Sequence, residues 1–277
     1  MKIIRTQINK PPRVVLYGIH GIGKSTFAAE CPAPIFIQTE AGLDALQVQA
    51  FELAKSWNDV LSALLWLNNE PHEFKTVVID SLDWAEKLLF ESVAEANNVG
   101  GIEKIPFGRG YAEAETRWKQ ALDLLNKLNE EKKMLVVLLA HAQVKRFEDP
   151  ERDSYDRYEL DLQKRSAALV AEWCDILAFA TLSTTTKAKD AGFGRTVVKA
   201  SSNGDRIVYL EERPAHDAKN RYGLPSELPL SWDAIRDEIY SKQAERKATI
   251  GKANLKDVQS EKRVERLEKL AAQNADS

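Results

Sequence analysis

The sequence predicts an α/β fold: a mainly parallel sheet flanked by helices, with antiparallel strands at its C-terminal edge and a charged helical tail. Three observations lead to it. Five short apolar runs rich in β-branched residues, at 14–17, 35–38, 76–80, 134–140 and 176–182, alternate with stretches of helical period, and strands separated by helices pair in parallel with both faces covered. The first run leads directly into a glycine-rich turn and a helix-like stretch. Beyond residue 183 the pattern changes to strand-like pieces with no helix between them, 195–200 and 206–211, separated by Ser201-Ser202-Asn203-Gly204-Asp205, which reads as a hairpin turn.

The glycine-rich turn carries the most specific chemistry. Gly18-Ile19-His20-Gly21-Ile22-Gly23-Lys24-Ser25 fits the phosphate-loop pattern G-x-x-x-x-G-K-[ST]. Triphosphate oxygens need many donors in a small space, and glycines let successive backbone N–H groups converge without side-chain obstruction. The helix that opens near Lys24 adds its positive end. Lys24 is placed for the β and γ phosphates and the Ser25 hydroxyl for Mg²⁺, whose small hard shell takes oxygen ligands. Gly18, Gly21, Ile22, Gly23, Lys24, Ser25 and Thr26 are therefore the expected nucleotide-binding set, Thr26 first as a helix residue and second as an α-phosphate contact. ATP with Mg²⁺ is the expected ligand.

After the second run, Thr39-Glu40-Ala41-Gly42 puts a carboxylate in the crevice beside the phosphate loop. Water attacks a γ-phosphate poorly unless a carboxylate orients it and accepts its proton, so Glu40 is the candidate general base. Ser56 precedes Trp57, Val60, Leu61, Leu64 and Leu65 at helical spacing and reads as an N-cap. The third run ends in Asp80, where a carboxylate holds the Mg²⁺ hydration shell together with Ser25. Asp83 and Glu86 read as first-turn helix acids favoured by the dipole. Trp118, Leu122, Leu125 and Leu128 mark a later buried helix face.

Past the paired strands, residues 214–230 contain Pro214, Gly223, Pro225 and Pro229 and read as an irregular loop before a helix capped at Ser231. The core is expected to span 1–240. From 241 to 277 the chain is polar, rich in Lys and Glu and without aromatic residues, as in a helical or partly disordered arm. The 277 residues are 44% hydrophobic, enough for a large core, and the formal charge of −3 excludes a globally basic nucleic-acid coat. No segment reaches the roughly 18 apolar residues of a membrane span. The N-terminus lacks an apolar core for a signal peptide, and the cytoplasm is the expected location. Cys31 and Cys174 are expected as buried thiols.

The acidic strand end at Glu40 and the Val78-Ile79-Asp80-Ser81 strand end resemble the RecA-core ATPases. The chain as a whole, over about residues 12–240, resembles phage-encoded RecA-like recombinases. That likeness rests on the phosphate loop, Thr39-Glu40-Ala41-Gly42, residues 77–82, Phe107-Gly108-Arg109-Gly110-Tyr111, Leu138-Leu139-Ala140-His141 and Ala218-Lys219-Asn220-Arg221-Tyr222-Gly223-Leu224-Pro225. The resemblance implies a minimal ATPase associated with single-strand annealing, encoded by a phage or prophage. It implies a polar γ-phosphate sensor at the end of the fourth run, where His141 stands with Gln143 next. It also implies a ring or filament of copies, with Lys219 and Arg221 as candidates to complete a neighbour's nucleotide site, and a single-strand-binding protein as a further partner.

Two long connections interleave cations with aromatic rings, a mixture suited to the phosphates and exposed bases of single-stranded DNA. Residues 98–111 carry Lys104, Phe107, Arg109 and Tyr111. Residues 143–165 carry Lys145, Arg146, Phe147, Arg152, Tyr155, Arg157, Tyr158, Lys164 and Arg165, diluted by Glu148, Asp149, Glu151, Asp153 and Asp156. Two other classes compete with a DNA-dependent ATPase. A small-molecule kinase would use 143–165 as its lid, against which Glu40 argues, since a kinase excludes water. A non-catalytic nucleotide-binding adaptor of a replication machine would bind partners through the tail.

Overall fold

In the computed structural model, which describes residues 10–149, 153–190 and 196–245, the first apolar run becomes strand β1 (Arg13–Gly18), whose Val14, Val15, Leu16 and Tyr17 are fully buried. Burial on both faces requires neighbours on both edges and helices above and below. Those neighbours are β5 (Leu135–Phe147) and β7 (Ile176–Asp190), both parallel to β1. Outward from β5 follow β4 (Thr76–Asp80), β2 (Pro34–Gln38) and the two-residue β3 (Gln49–Ala50), again all parallel.

The other edge is antiparallel. Strand β8 (Thr196–Tyr209) pairs with β7, and β10 (Glu227–Pro229) pairs with β8. Two strands branch from this row: β6 (Tyr155–Leu160) pairs with β5, and β9 (Lys219–Asn220) with the start of β7.

The period-2 alternation of the strands divides the core. Val15, Tyr17, Ile35, Ile37, Val77, Ile79, Val136 and Leu138 face one cluster, shared with helices α2 (Trp57–Asn69), α3 (Leu82–Ala96) and α4 (Arg109–Glu131). There Trp57 and Trp118, both fully buried, meet edge to face with ring centres 5.2 Å apart, the arrangement favoured by the ring quadrupoles. Helix α1 (Lys24–Ala29) packs on β1 and β5 and buries Phe27 and Ala28. The expected cap at Ser56 forms a complete capping box with Asp59. Cys31 and Cys174 are buried thiols, and burial pushes Cys174 up to about 12.

Three expectations about the connections are corrected. Residues 143–165 are not an irregular loop: β5 runs on to Phe147 and folds back as β6, before helix α5 (Lys164–Trp173). The mixed charges that read as loop composition include cross-strand pairs, Arg146 with Asp156 at 3.8 Å and Lys145 with Glu159 at 4.0 Å, which support an antiparallel ladder. Ser201–Asp205 is not a hairpin turn either, because β8 passes straight through it and the reversal comes after Asp190. Gly204, with φ +85°, instead serves an irregularity where the register shifts between Leu182 and Thr184, the use of a left-handed glycine in a β-bulge. Within 98–111, two 3₁₀ turns, Ile102–Lys104 and Pro106–Gly108, lead into α4 at Arg109.

The expected irregular stretch 214–230 holds only the short edge strands β9 and β10. Residues 232–245 are helical, and the chain divides between Ile235 and Arg236 into two units. In the second, Arg236 pairs with Asp237 and Lys242 with Glu245. Tail residues past 245, and Arg152 with Glu151, lie outside the described residues.

Candidate nucleotide-binding site

The carboxyl ends of β1, β2, β4 and β5 converge on one cavity of about 350 Å³, the crevice where ligands sit in open parallel sheets. Gly18 closes β1 opposite Ala180 of β7 and His141 of β5. A Cβ at Gly18 would run into the backbone carbonyl of Ala180, and neither paired strand has room to yield. Gly18→Ala is therefore expected to destabilise the fold by about 1–3 kcal/mol, seen as a lower urea midpoint with an unchanged slope. Gly23, at φ +104°, ends the loop in a conformation that glycine tolerates and other residues resist, and α1 begins at Lys24.

Lys24 is buried, and its ammonium donates to the carbonyls of Gly18 and Ile19, both at 3.1 Å. Burial lowers its pKa, while the charges of Asp80, Asp83 and Glu40 oppose that shift. One residue on, the Ser25 hydroxyl donates to Asp80 Oδ2 at 2.6 Å. Asp80 is buried at the end of β4, and its pKa is raised by desolvation against the pull of the Ser25 bond. A hydroxyl and a carboxylate in contact, both oxygen donors, fit the donor set that a small hard cation such as Mg²⁺ prefers. Ser25, Thr26, Gly21 and Gly23 line the cavity, whereas Ile22 is buried with 3% of its surface exposed.

Glu40, two residues past the point where β2 pairs with Asp80 of β4, lines the same cavity. Its Oε1 is 3.9 Å from His141 Nε2. His141 is buried and fixed by Asp83, which accepts from its Nδ1 at 2.9 Å and from its backbone N–H at 3.1 Å. With Nδ1 donating to Asp83, Nε2 is left facing Glu40. Burial alone would raise the Asp83 carboxyl, but the hydrogen bonds and charge of His141 outweigh it and hold the group below the usual carboxylate range. The His20 ring stacks on His141 with centres 3.8 Å apart. Gln143 does not line this cavity: its amide donates to the Leu160 carbonyl at 2.8 Å and holds the β5–β6 hairpin.

Three residues at this site were not legible as site residues in the sequence. His20 occupies a position where the loop pattern accepts any residue, Asp83 reads as an ordinary helix-start acid, and Arg206, which also lines the cavity, lies far along the chain.

Residues 10–222 match the family described as AAA domain (AAA_24). The chain belongs to the AAA-domain family. That family is one of P-loop ATPases, and the matched residues include every residue of the cavity. The AAA domain is also similar to the SPbeta prophage-derived uncharacterized protein YorG of Bacillus subtilis strain 168, at 27% identity over 215 residues; the match takes in 76% of this chain and 59% of the relative's length. Among the described residues no helix is long and apolar enough to cross a membrane.

The remaining expected site residues lie elsewhere on the AAA domain. Lys219 and Arg221 stand at the amino end of the sheet, Lys219 opposite Leu177 at the start of β7, away from the phosphate loop. Lys219 donates to the carbonyls of Ala171 and Glu172, both at 2.7 Å, and Arg221 reaches Asp175 and the Glu172 carbonyl, both at 3.3 Å. Neither reaches the nucleotide cavity of its own chain.

Of the cation-rich segments, Arg157 is buried and paired with Glu212 and Asp217, while Tyr158 stacks on Phe179. Arg165 lies 4.0 Å from Glu115. Lys104, Arg109 and Lys164 are exposed, with no carboxylate in ion-pair range among the described residues. Tyr111 packs edge to face on Phe90, whereas Phe107 is 99% exposed at φ +60°.

Proposed function

We propose that this AAA domain hydrolyses ATP with Mg²⁺ and couples that turnover to single-stranded DNA, in a RecA-like recombination or annealing system of a phage. The observation that carries the reading is the Glu40–His141–Asp83 chain. Glu40 and His141 face the phosphate loop, and Asp83, which holds His141, also borders a second cavity of about 450 Å³ beside the β5–β6 hairpin. Lys145 and Lys164 line that cavity, together with Lys87 and Phe90 of α3. Lys87 and Phe90 also line a third cavity, of about 470 Å³, formed with residues 99–103. The two segments thus flank helix α3, and the buried His141–Asp83 pair lies between the phosphate loop and the cavity beside the β5–β6 hairpin.

In this reading Lys24 and the loop N–H groups bind the phosphates, and Ser25 and Asp80 hold the metal, which when bound neutralises charge on the phosphate oxygens. Glu40 orients the attacking water and takes its proton. His141 reads the γ-phosphate through Nε2 and passes its position through Asp83 toward the hairpin, an element that nucleotide state would bias. Lys104, Arg109, Lys145, Arg146, Lys164 and Arg165 meet DNA phosphates, and Phe107 supplies a base-stacking face. In a ring or filament Lys219 and Arg221 serve a neighbouring copy's nucleotide. A single-strand-binding protein is a further partner, and the host cytoplasm the place of action.

Turnover by the full chain with and without single-stranded DNA, at low and moderate salt, tests the coupling. Stimulation by DNA is expected. A Lys145→Ala/Lys164→Ala double variant is expected to keep the DNA-free rate, lose stimulation, and flatten the log–log salt dependence of oligonucleotide binding by about 1.4, from two phosphate contacts on a single strand. Turnover indifferent to DNA, in a protein that retains no labelled oligonucleotide, overturns the recombination reading and leaves the ATPase alone.

A further inference from the structure

We propose that Arg206 is a phosphate-binding residue that acts in cis, on the nucleotide held by its own chain; this rests on the nucleotide-binding reading of the phosphate loop. Strand geometry brings it there. β1 ends at Gly18, opposite Ala180 of β7, and β7 continues two residues further to Leu182, opposite which β8 carries Arg206. Arg206 therefore stands level with the loop that leaves β1. Its backbone is held there, its carbonyl accepting from the N–H of Leu230 at 3.0 Å. The register shift between Leu182 and Thr184 lies directly beside it, and bulges next to active sites re-aim side chains.

The side chain points at the loop. Its Nη1 lies 2.9 Å, and its Cζ 3.7 Å, from where a Cβ on Gly23 would stand. The guanidinium thus lies against the loop at Gly23, where the left-handed backbone already favours glycine. Arg206 lines the cavity together with Lys24, Ser25, Glu40, Asp80 and His141. It is exposed, and among the described residues no carboxylate lies within ion-pair distance of it.

An exposed arginine without an acidic partner, held against a loop built to bind phosphate, offers a planar fork of donors to phosphate oxygens. Lys24, by contrast, is buried and curled onto the loop carbonyls. The two cations approach from different sides, one from the helix and one from the antiparallel edge of the sheet. Lys219 and Arg221, at the amino end of the sheet, are excluded from this role within one chain.

The test is equilibrium binding of a fluorescent ATP analogue with Mg²⁺, displaced by ATP, ADP and AMP, to the full-length wild type, Arg206→Ala, Arg206→Lys and Lys24→Ala. Arg206→Ala is expected to weaken ATP binding about tenfold, roughly what one charge-assisted hydrogen bond contributes, with Arg206→Lys in between, AMP least affected, and the melting temperature of the nucleotide-free protein unchanged. Mixing Arg206→Ala with Lys24→Ala is expected not to restore binding, because each site needs its own arginine. ATP affinity in Arg206→Ala within twofold of wild type, at a site that wild type fills and Lys24→Ala does not, overturns the inference alone. Restoration on mixing overturns the cis assignment. A wild type that binds no triphosphate overturns the nucleotide reading and this inference with it.

Discussion

Glu40→Gln is expected to bind ATP as the wild type does and to lose hydrolysis by at least about a hundredfold, the contribution of a positioned general base. Glutamine keeps the size and hydrogen-bonding reach of the side chain but cannot accept a proton. Glu40 shares the cavity with Lys24, Ser25 and Asp80, and its Oε1 lies 3.9 Å from His141 Nε2 of β5. Among the described residues Glu40 accepts no hydrogen bond closer than the 3.9 Å approach of His141, so the loss is expected to fall on the chemical step. Lys24→Ala should behave in the opposite way. It removes the buried ammonium whose contacts are loop carbonyls, and nucleotide binding itself fails. Binding and single-turnover hydrolysis measured on the two variants separate the roles, and intact turnover in Glu40→Gln removes it as the base.

The largest expected effect on stability is at Asp175. Its carboxylate accepts from the backbone N–H of Arg13 at 3.0 Å, from Nε at 3.0 Å, from Nη2 at 2.8 Å and from Arg221 at 3.3 Å. The Arg13 and Asp175 side chains are 13% and 12% exposed, so they are screened far less than a surface pair. They tie the start of β1 to the start of β7, while the Arg13 guanidinium also lies over the Trp173 ring at 4.8 Å. Asp175→Asn leaves a largely buried guanidinium without its counter-charge and is expected to cost about 3 kcal/mol, read as a lower urea midpoint.

The effect depends on pH in a defined direction. Burial alone raises the Asp175 carboxyl, but the Arg13 hydrogen bonds and charge, with Arg221, outweigh it and hold the group below its ordinary value. A carboxyl depressed in the folded state stabilises above its unfolded pKa of about 3.9, and that stability is lost as pH falls through the folded value. The difference between wild type and Asp175→Asn should therefore be full at pH 7 and shrink below about pH 4. A gap that stayed constant down to pH 3 would show that the loss is one of packing rather than of charge.

Much of this architecture can be read along the chain. The strand at 76–80 has the boundaries expected, the Ser56 cap forms with its capping box, and the phosphate loop joins β1 to α1 as its pattern requires. Each of these is set by neighbours a few residues apart, through side-chain period, capping donors and glycine backbone freedom, and no distant partner is needed. Where the structure departs from that expectation, strand pairing decided. The cation-rich stretch after residue 143 has loop composition, yet its acids and bases face each other across a hairpin that extends β5. Ser201–Asp205 carries strong turn chemistry, but pairing with β7 absorbs it as an irregularity within β8.

The site divides in the same way. Sequence alone determined a phosphate loop on a parallel α/β sheet, with Lys24 and Ser25 opening the helix after it and Glu40 and Asp80 at strand ends, because a local pattern can place a residue at the end of its own element. Only the tertiary structure decided the strand order that sets those ends side by side, and with it which further groups share the cavity. It turned His141 rather than Gln143 toward Glu40, locked it through Asp83, laid His20 against it and brought Arg206 over Gly23. The contacts of His141 and Arg206 join residues from about sixty to nearly two hundred positions apart, and they form only when long-range strand pairing, driven by burial of both sheet faces, has fixed which edges meet.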